Sequence, residues 1–259
     1  MNKQIICAGI VFAMIFSGCQ PDAQSNNQEH LLQSLTWFQQ SAEMKAIYIQ
    51  SFNWAGKVMM EKLELESELP MAVVLDIDET VLDNSPQTAR QVRDGVPFSN
   101  EMWDEWCGLA QAEALPGALE FTLKAETLGV EVFYISNRGI HLLDVTLENL
   151  NSTGFPYADA GHVLLKTDTS AKDDRRAKVR QSHNVVLLIG DNLGDFTGIF
   201  DMRLHGADSE NVLAHRESFG FEYIILPNPL YGGWEKEFRG ESPEETRLNK
   251  MDALVSYQR

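Results

Sequence analysis

The feature that most constrains this chain is the stretch Val73-Val74-Leu75-Asp76-Ile77-Asp78-Glu79-Thr80, an apolar run that ends in three carboxylates within four residues. A continuous apolar run of that kind marks a strand buried on both faces of a parallel sheet, and the acids fall where such a strand leaves the sheet. Residues two apart on a strand point the same way, so Asp76 and Asp78 start from one face while Ile77 packs on the other. Carboxylates held so close repel unless a cation lies between them or one takes up a proton. The pattern suits a hard-cation site with oxygen ligands, or a covalent phosphoryl-transfer site with a nucleophilic carboxylate beside an acid/base group.

Downstream, apolar strand candidates at 130–135, 162–166, 185–189 and 223–226 alternate with helical candidates at 118–128, 142–150, 172–181 and near 196–202. This alternation predicts an α/β fold with a parallel sheet flanked by helices on both faces, its ligand at the carboxyl ends of the strands. Roughly 35 residues, 82–117, separate the first strand from its returning helix, where a handful is normal, and this insertion is read as a small cap. Upstream, Leu31, Leu35, Phe38, Ala42, Ala46 and Ile49 recur at helical spacing, which predicts an N-terminal helical extension over 31–68 with a break near Asn53 or Gly56. Trp37, Tyr48, Phe52 and Trp54 are assigned to its core. Residues 31–259 are thus read as one domain.

The amino terminus has its own signature. Lys3, an apolar run over 5–16 too short to span a bilayer stably, and Phe16-Ser17-Gly18-Cys19 resemble the leader and lipobox of bacterial lipoproteins. That resemblance implies a leader over 1–18, a lipidated Cys19 and location in the bacterial cell envelope, at the outer membrane and facing the periplasm or the exterior; an ordinary secretory signal is the alternative. Residues 19–30 are polar and read as a tether. With Cys19 lipidated, Cys107 has no partner, so no disulfide framework is expected and Cys107 is assigned to the core. Acidic residues outnumber basic ones 38 to 21 with no basic stripe, which argues against nucleic acid as a partner. No Cys/His cluster has metal-ligand spacing, so zinc is disfavoured.

The polar residues after each strand form an ordered set: Asp76-Ile77-Asp78, Ser136-Asn137-Arg138, Lys172 opening a helix, and Gly190-Asp191-Asn192-Leu193-Gly194-Asp195. In this order they resemble the haloacid dehalogenase (HAD) superfamily, which uses an aspartate nucleophile, a Ser/Thr, a Lys and a further acidic pair. Residues 37–45, the Asp76-Ile77-Asp78-Glu79-Thr80 string with Leu82-Asp83-Asn84-Ser85-Pro86, Trp103 and Trp106, Leu226-Pro227-Asn228 and Tyr231-Gly232-Gly233-Trp234 are similar to the class C acid phosphatases. These are lipid-anchored bacterial phosphomonoesterases, several of them 5'-nucleotidases. Met44 and Gln87 stand where those enzymes often carry tyrosine, and Gly194 where they often carry an acid.

The resemblance implies a HAD-like Rossmannoid sheet and a magnesium-dependent acid phosphatase working through an aspartyl-phosphate, with 5'-nucleotides as substrates and a homodimer as assembly. Asp76 would attack phosphorus and Asp78 would carry the proton. Ser136 and neighbouring N–H groups would hold the phosphoryl oxygens while Lys172 neutralises them, with Lys166 next in interest. Mg2+ would be held by Asp76, the main-chain carbonyl of Asp78, Asp191 and Asp195, the last either as a ligand through water or as the base that fixes Lys172. Asn137 and Arg138 would orient the substrate loop, Arg138 as a substrate ligand or as an ion-pair member. Trp103 and Tyr231 would stack on a base, or else belong to the core. Glu79 receives no role beyond a loop or helix cap. Competing functions are a phosphotransferase of the same fold and a non-catalytic lipoprotein binding module.

Overall fold

The computed structural model describes residues 28–201 and 207–257. The leader, Cys19 and the tether up to residue 27 lie outside the described residues. In chain order the first elements are α1 (Leu32–Gln40) and α2 (Ala42–Leu63). The helical break therefore falls at Ser41 and not near Asn53 or Gly56. Ser41 is extended, with ψ of 139°, and its side chain accepts a hydrogen bond from the Met44 N–H, a serine N-cap that restarts the helix. Gly56 lies buried within α2, where a β-carbon would meet Lys124 and Phe121 at ordinary contact distance.

β1 (Met71–Leu75) follows, and then the cap comprises β2 (Leu82–Asp83), α3 (Ser85–Asp94), α4 (Asn100–Gly108) and β3 (Glu113–Ala114). The cap is therefore a structured unit, two helices closed by a short antiparallel pair between β2 and β3. Next come α5 (Ala118–Thr127), β4 (Glu131–Gly139), α6 (Leu143–Thr153), β5 (Val163–Lys166), α7 (Asp173–Arg180) and β6 (Asn184–Gly190). The chain ends with α8 (Ala207–Ala214), β7 (Tyr223–Ile225) and α9 (Pro243–Asp252). In place of a helix near 196–202 there are two short 3₁₀ turns, Leu193–Asp195 and Gly198–Asp201.

All five strands of the main sheet run parallel, in the order β5-β4-β1-β6-β7, so the opening strand lies at its centre. The side chains of β1 alternate between two cores. Val73 and Leu75 join α2, α5 and Leu150, whereas Ala72 and Val74 join Val179 of α7, Phe196 and Phe200. Burial on both faces is what a strand with no polar alternation requires, and it contributes about 1.5–3 kcal/mol for each large side chain. Tyr48 and Phe52 are core residues as expected and Trp37 packs against the core, but Trp54 is 43% exposed and donates its indole N–H to the Gly220 carbonyl at 2.7 Å. Cys107 is buried and unpaired.

Candidate active site

Beyond β1 the backbone closes a tight loop. The Asp76 N–H donates to the Ile189 carbonyl of β6 at 2.9 Å, and the N–H groups of Thr80, Val81 and Leu82 all converge on the Ile77 carbonyl. Glu79 takes a left-handed φ of 53° to make this turn, an uncommon conformation for a non-glycine residue. The Tyr48 hydroxyl secures it, donating to the Glu79 carbonyl at 2.6 Å. Glu79 is itself fully buried; Oε1 accepts the Asn84 N–H, and burial followed by the charges of Asp78, Asp191 and Asp83 pushes its carboxyl well above the usual range. The third acid of the opening motif is thus a buried anchor that joins the strand-end loop to α3.

Asp76 and Asp78 are held by different partners. Lys172 Nζ donates to Asp76 Oδ1 at 2.5 Å and to Asp195 Oδ1 at 2.6 Å, with all three side chains at most 10% exposed. Asp78 instead accepts from Arg138 Nε and Nη2 and from Asn84 Nδ2 on Oδ1, and from the Ser136 hydroxyl on Oδ2. Asn84 carries the network into the cap: its Oδ1 accepts from the Trp106 indole N–H at 2.8 Å and from Arg138 Nη2 at 3.2 Å.

Asp191 stands at the end of β6, accepting from Asn228 Nδ2 at 2.8 Å and Thr80 Oγ1 at 3.3 Å. Asp195 Oδ2 accepts the Asn192 N–H while Asn192 Oδ1 accepts the Gly194 N–H, a reciprocal cap of the short turn. Gly190 is required beneath it, because a β-carbon there would collide with the Asp195 carboxylate. Arg176 fixes the same turn by donating to the Gly194 and Asp195 carbonyls, both at 2.9 Å.

Asp76, Asp191 and Asp195 each offer a carboxylate oxygen, all within 4.8 Å of one another. Burial is the main force raising the Asp76 and Asp191 carboxyls, the latter to about 7, with neighbouring carboxylates adding to both. Burial alone would favour loss of the Lys172 proton, yet Asp195 and Asp76 outweigh it and hold Lys172 above its usual range. Lys172 pairs with Asp76 and Asp195, and once Asp191 is ionised as well the three carboxylates exceed the one ammonium by two negative charges, the complement of a divalent cation. Hard oxygen donors around that deficit fit Mg2+. Asp195 is held by Lys172 and also stands within the carboxylate cluster. The Asp78 side chain lies outside that cluster.

A cavity of about 1060 Å³ opens over these groups. Asp76, Asp78, Asn137, Arg138, Lys172, Asp191, Asp195, Trp103, Tyr231 and Lys166 all line it. Ser136 does not: it is fully buried, and its hydroxyl donates to Asp78 and accepts the Arg138 N–H, so it organises the Asp78 side of the site. Arg138 is an ion-pair member, with 1% of its side chain exposed, and its guanidinium lies 5.6 Å from the Trp103 ring centroid. Trp103 and Tyr231 are wall residues of the cavity, Tyr231 being 38% exposed. Asn84, Trp106, Thr80 and Asn228 lie in the quoted motifs but carry no role on sequence alone, because their partners arrive from other loops.

The HAD superfamily, subfamily IIIB (acid phosphatase) family model matches residues 17–234. Among solved structures, the class C acid phosphatase from Bacillus anthracis superimposes with a TM-score of 0.86 at 38% identity, covering 90% of this chain and 100% of that one. A second structure of that protein, with tungstate bound, gives the same values. The soybean (Glycine max) stem 28 kDa glycoprotein is 32% identical over 178 residues, which is 65% of this chain and 62% of the relative. Acid phosphatase 1 of Solanum lycopersicum is 28% identical over 166 residues, 61% of this chain and 57% of the relative. The match thus spans less than two thirds of the length of these curated relatives.

Proposed function

The chain belongs to the acid phosphatases of HAD superfamily subfamily IIIB, and we propose that it hydrolyses phosphomonoesters, 5'-nucleotides among them, through an aspartyl-phosphate with Mg2+ as cofactor. The observation that carries this reading is the sharing of Lys172 Nζ between Asp76 and Asp195 in a cavity that Asp78 also lines.

Lys172 grips Oδ1 of Asp76, so the other carboxylate oxygen is the one available to attack phosphorus in line and form the acyl phosphate. Asp78, 15% exposed at its side chain, protonates the departing alkoxide and then takes a proton from the water that hydrolyses the intermediate. Lys172 and the N–H groups near Asn137 compensate the phosphoryl charge as the transition state loosens. Asp76, Asp191 and Asp195 would hold Mg2+, together with the Asp78 main-chain carbonyl. When bound, the ion supplies charge neutralisation between these carboxylates and the phosphate.

Trp103 and Tyr231 line the cavity, and their aromatic faces suit a planar base. The lipobox-like Phe16-Ser17-Gly18-Cys19 supports anchoring through Cys19 in a bacterial envelope, at the outer membrane. Asp76→Asn should lower hydrolysis of an aryl phosphate by at least about 10³-fold while leaving the melting temperature within a few degrees. Retention of activity by that variant would remove Asp76 as nucleophile. EDTA should abolish wild-type activity and Mg2+ restore it.

A further inference from the structure

We infer that Arg175, which does not line the cavity, is a positioning residue that ties together the two loops flanking the phosphoryl group and contributes an unneutralised positive charge beside them; the inference rests on the phosphatase reading above.

Arg175 lies in the first turn of α7, three residues after Lys172. Its guanidinium donates through Nη1 to the Ser136 carbonyl at 2.6 Å, and through Nη2 to Asn137 Oδ1 at 2.7 Å and to the Ala171 and Ser170 carbonyls at 3.2 and 3.4 Å. One planar group therefore links the exit of β4 to the loop that delivers Lys172. The link falls at an interruption in the sheet. The pairing of β4 with β5 loses register between Ile135 and Gly139, and Ser136 and Asn137 fall inside that gap. Arg175 bridges the interruption with hydrogen bonds that the strand ladder does not make.

Each of these acceptors is neutral. By contrast Arg138 is paired with Asp78 and Arg176 with Asp173. Among the described residues no carboxylate lies within ion-pair distance of Arg175. Asp76, Asp78, Asp191 and Asp195 exceed Lys172 and Arg138 by two negative charges, a deficit that one divalent ion cancels. A phosphate dianion then needs further positive charge; Lys166 lines the cavity, and the half-buried Arg175 adds to it from behind the loop. The Ser136 carbonyl and the Asn137 N–H belong to one planar trans peptide, so drawing the carbonyl towards Arg175 turns the N–H the opposite way and polarises it as a donor. Asn137 and Ser170, both held by Arg175, line the cavity.

The test is calorimetric binding of inorganic phosphate to the full chain with Mg2+ present, a readout that needs no turnover. Arg175→Gln should weaken phosphate at least about tenfold, in the range typical of removing a group that orients a ligand-binding residue. Arg175→Lys keeps the charge but not the planar fork, and should recover only part of the affinity. Guanidinium ion should strengthen phosphate binding to Arg175→Ala and leave the wild type unchanged. Wild-type phosphate affinity in Arg175→Gln overturns the inference, as does full affinity in Arg175→Lys should the glutamine variant fail to fold. A wild-type protein that binds phosphate but releases none from monoesters would sink the phosphatase reading and leave the Arg175 comparison intact.

Discussion

Arg138 Nη2 lies 2.8 Å from Asp78 Oδ1, and only 1% of the arginine side chain is exposed. Burial would weaken the guanidinium's hold on its proton, but Asp78 more than compensates and keeps Arg138 above its usual range. Truncating one member of a buried pair strands the other charge in a poorly solvated setting, at a cost of about 3–5 kcal/mol. Arg138→Met is therefore expected to lower the denaturant midpoint clearly, and to depress kcat because Asp78 loses the fork that orients it. Chemical denaturation together with steady-state kinetics checks both, and a variant as stable as the wild type would show that the pair contributes no net stability.

How far the sequence revealed this site depends on what each residue responds to. Asp76, Asp78, Lys172, Asp191 and Asp195 follow apolar runs whose burial is dictated locally, so their meeting at one sheet edge was readable from strand order. The Ser41 break was not, because the helical periodicity continues through it and only the N-cap geometry marks the interruption. Glu79, expected as a loop or helix-cap acid, does accept the N–H of Asn84 at the start of α3, but its full burial is not legible because Tyr48, some thirty residues upstream, and Asn84 in the cap set its surroundings. Its position after the apolar run over 130–135 points Ser136 to the phosphate, whereas its hydroxyl donates to Asp78, which arrives from another strand.

Gly190 gives a second expectation. Its absent side chain makes room for the Asp195 carboxylate, which Lys172 and the Asn192 N–H hold in place. Gly190→Ala would force Asp195 from both partners, at a cost of about 1–3 kcal/mol for overpacking. Activity at limiting Mg2+ should fall more than activity at saturating Mg2+. Equal losses at both would mean that Asp195 does not act through the ion.

The cavity walls make a third expectation specific to the leaving group. Tyr231→Ala and Trp103→Ala should raise KM for a nucleoside monophosphate with little change in KM for a small alkyl phosphate, because a stacked base contributes about 1–3 kcal/mol. Trp103 also lies beside the Arg138 guanidinium, so its replacement should lower kcat as well, whereas that of Tyr231 should not. A parallel rise in KM for both substrates would assign the aromatic rings to cavity shape in general and not to base recognition.

The carboxylate cluster predicts how metal and pH act together. Asp191 keeps its proton in the metal-free fold until about pH 7, mainly because it is buried, whereas its ordinary value is 3.8. Between those values the folded state holds more protons than the unfolded state, so the metal-free protein loses stability as pH rises through this window. Mg2+ binds the ionised carboxylates and displaces those protons, so the stabilisation it confers must grow across the same window. Melting curves with and without Mg2+ should therefore separate more at about pH 8 than at about pH 5, by about 2–4 °C for each kcal/mol of added stabilisation. In Asp191→Asn the separation should shrink and lose most of its pH dependence. A separation that is constant with pH in the wild type would place the bound ion elsewhere than on Asp76, Asp191 and Asp195.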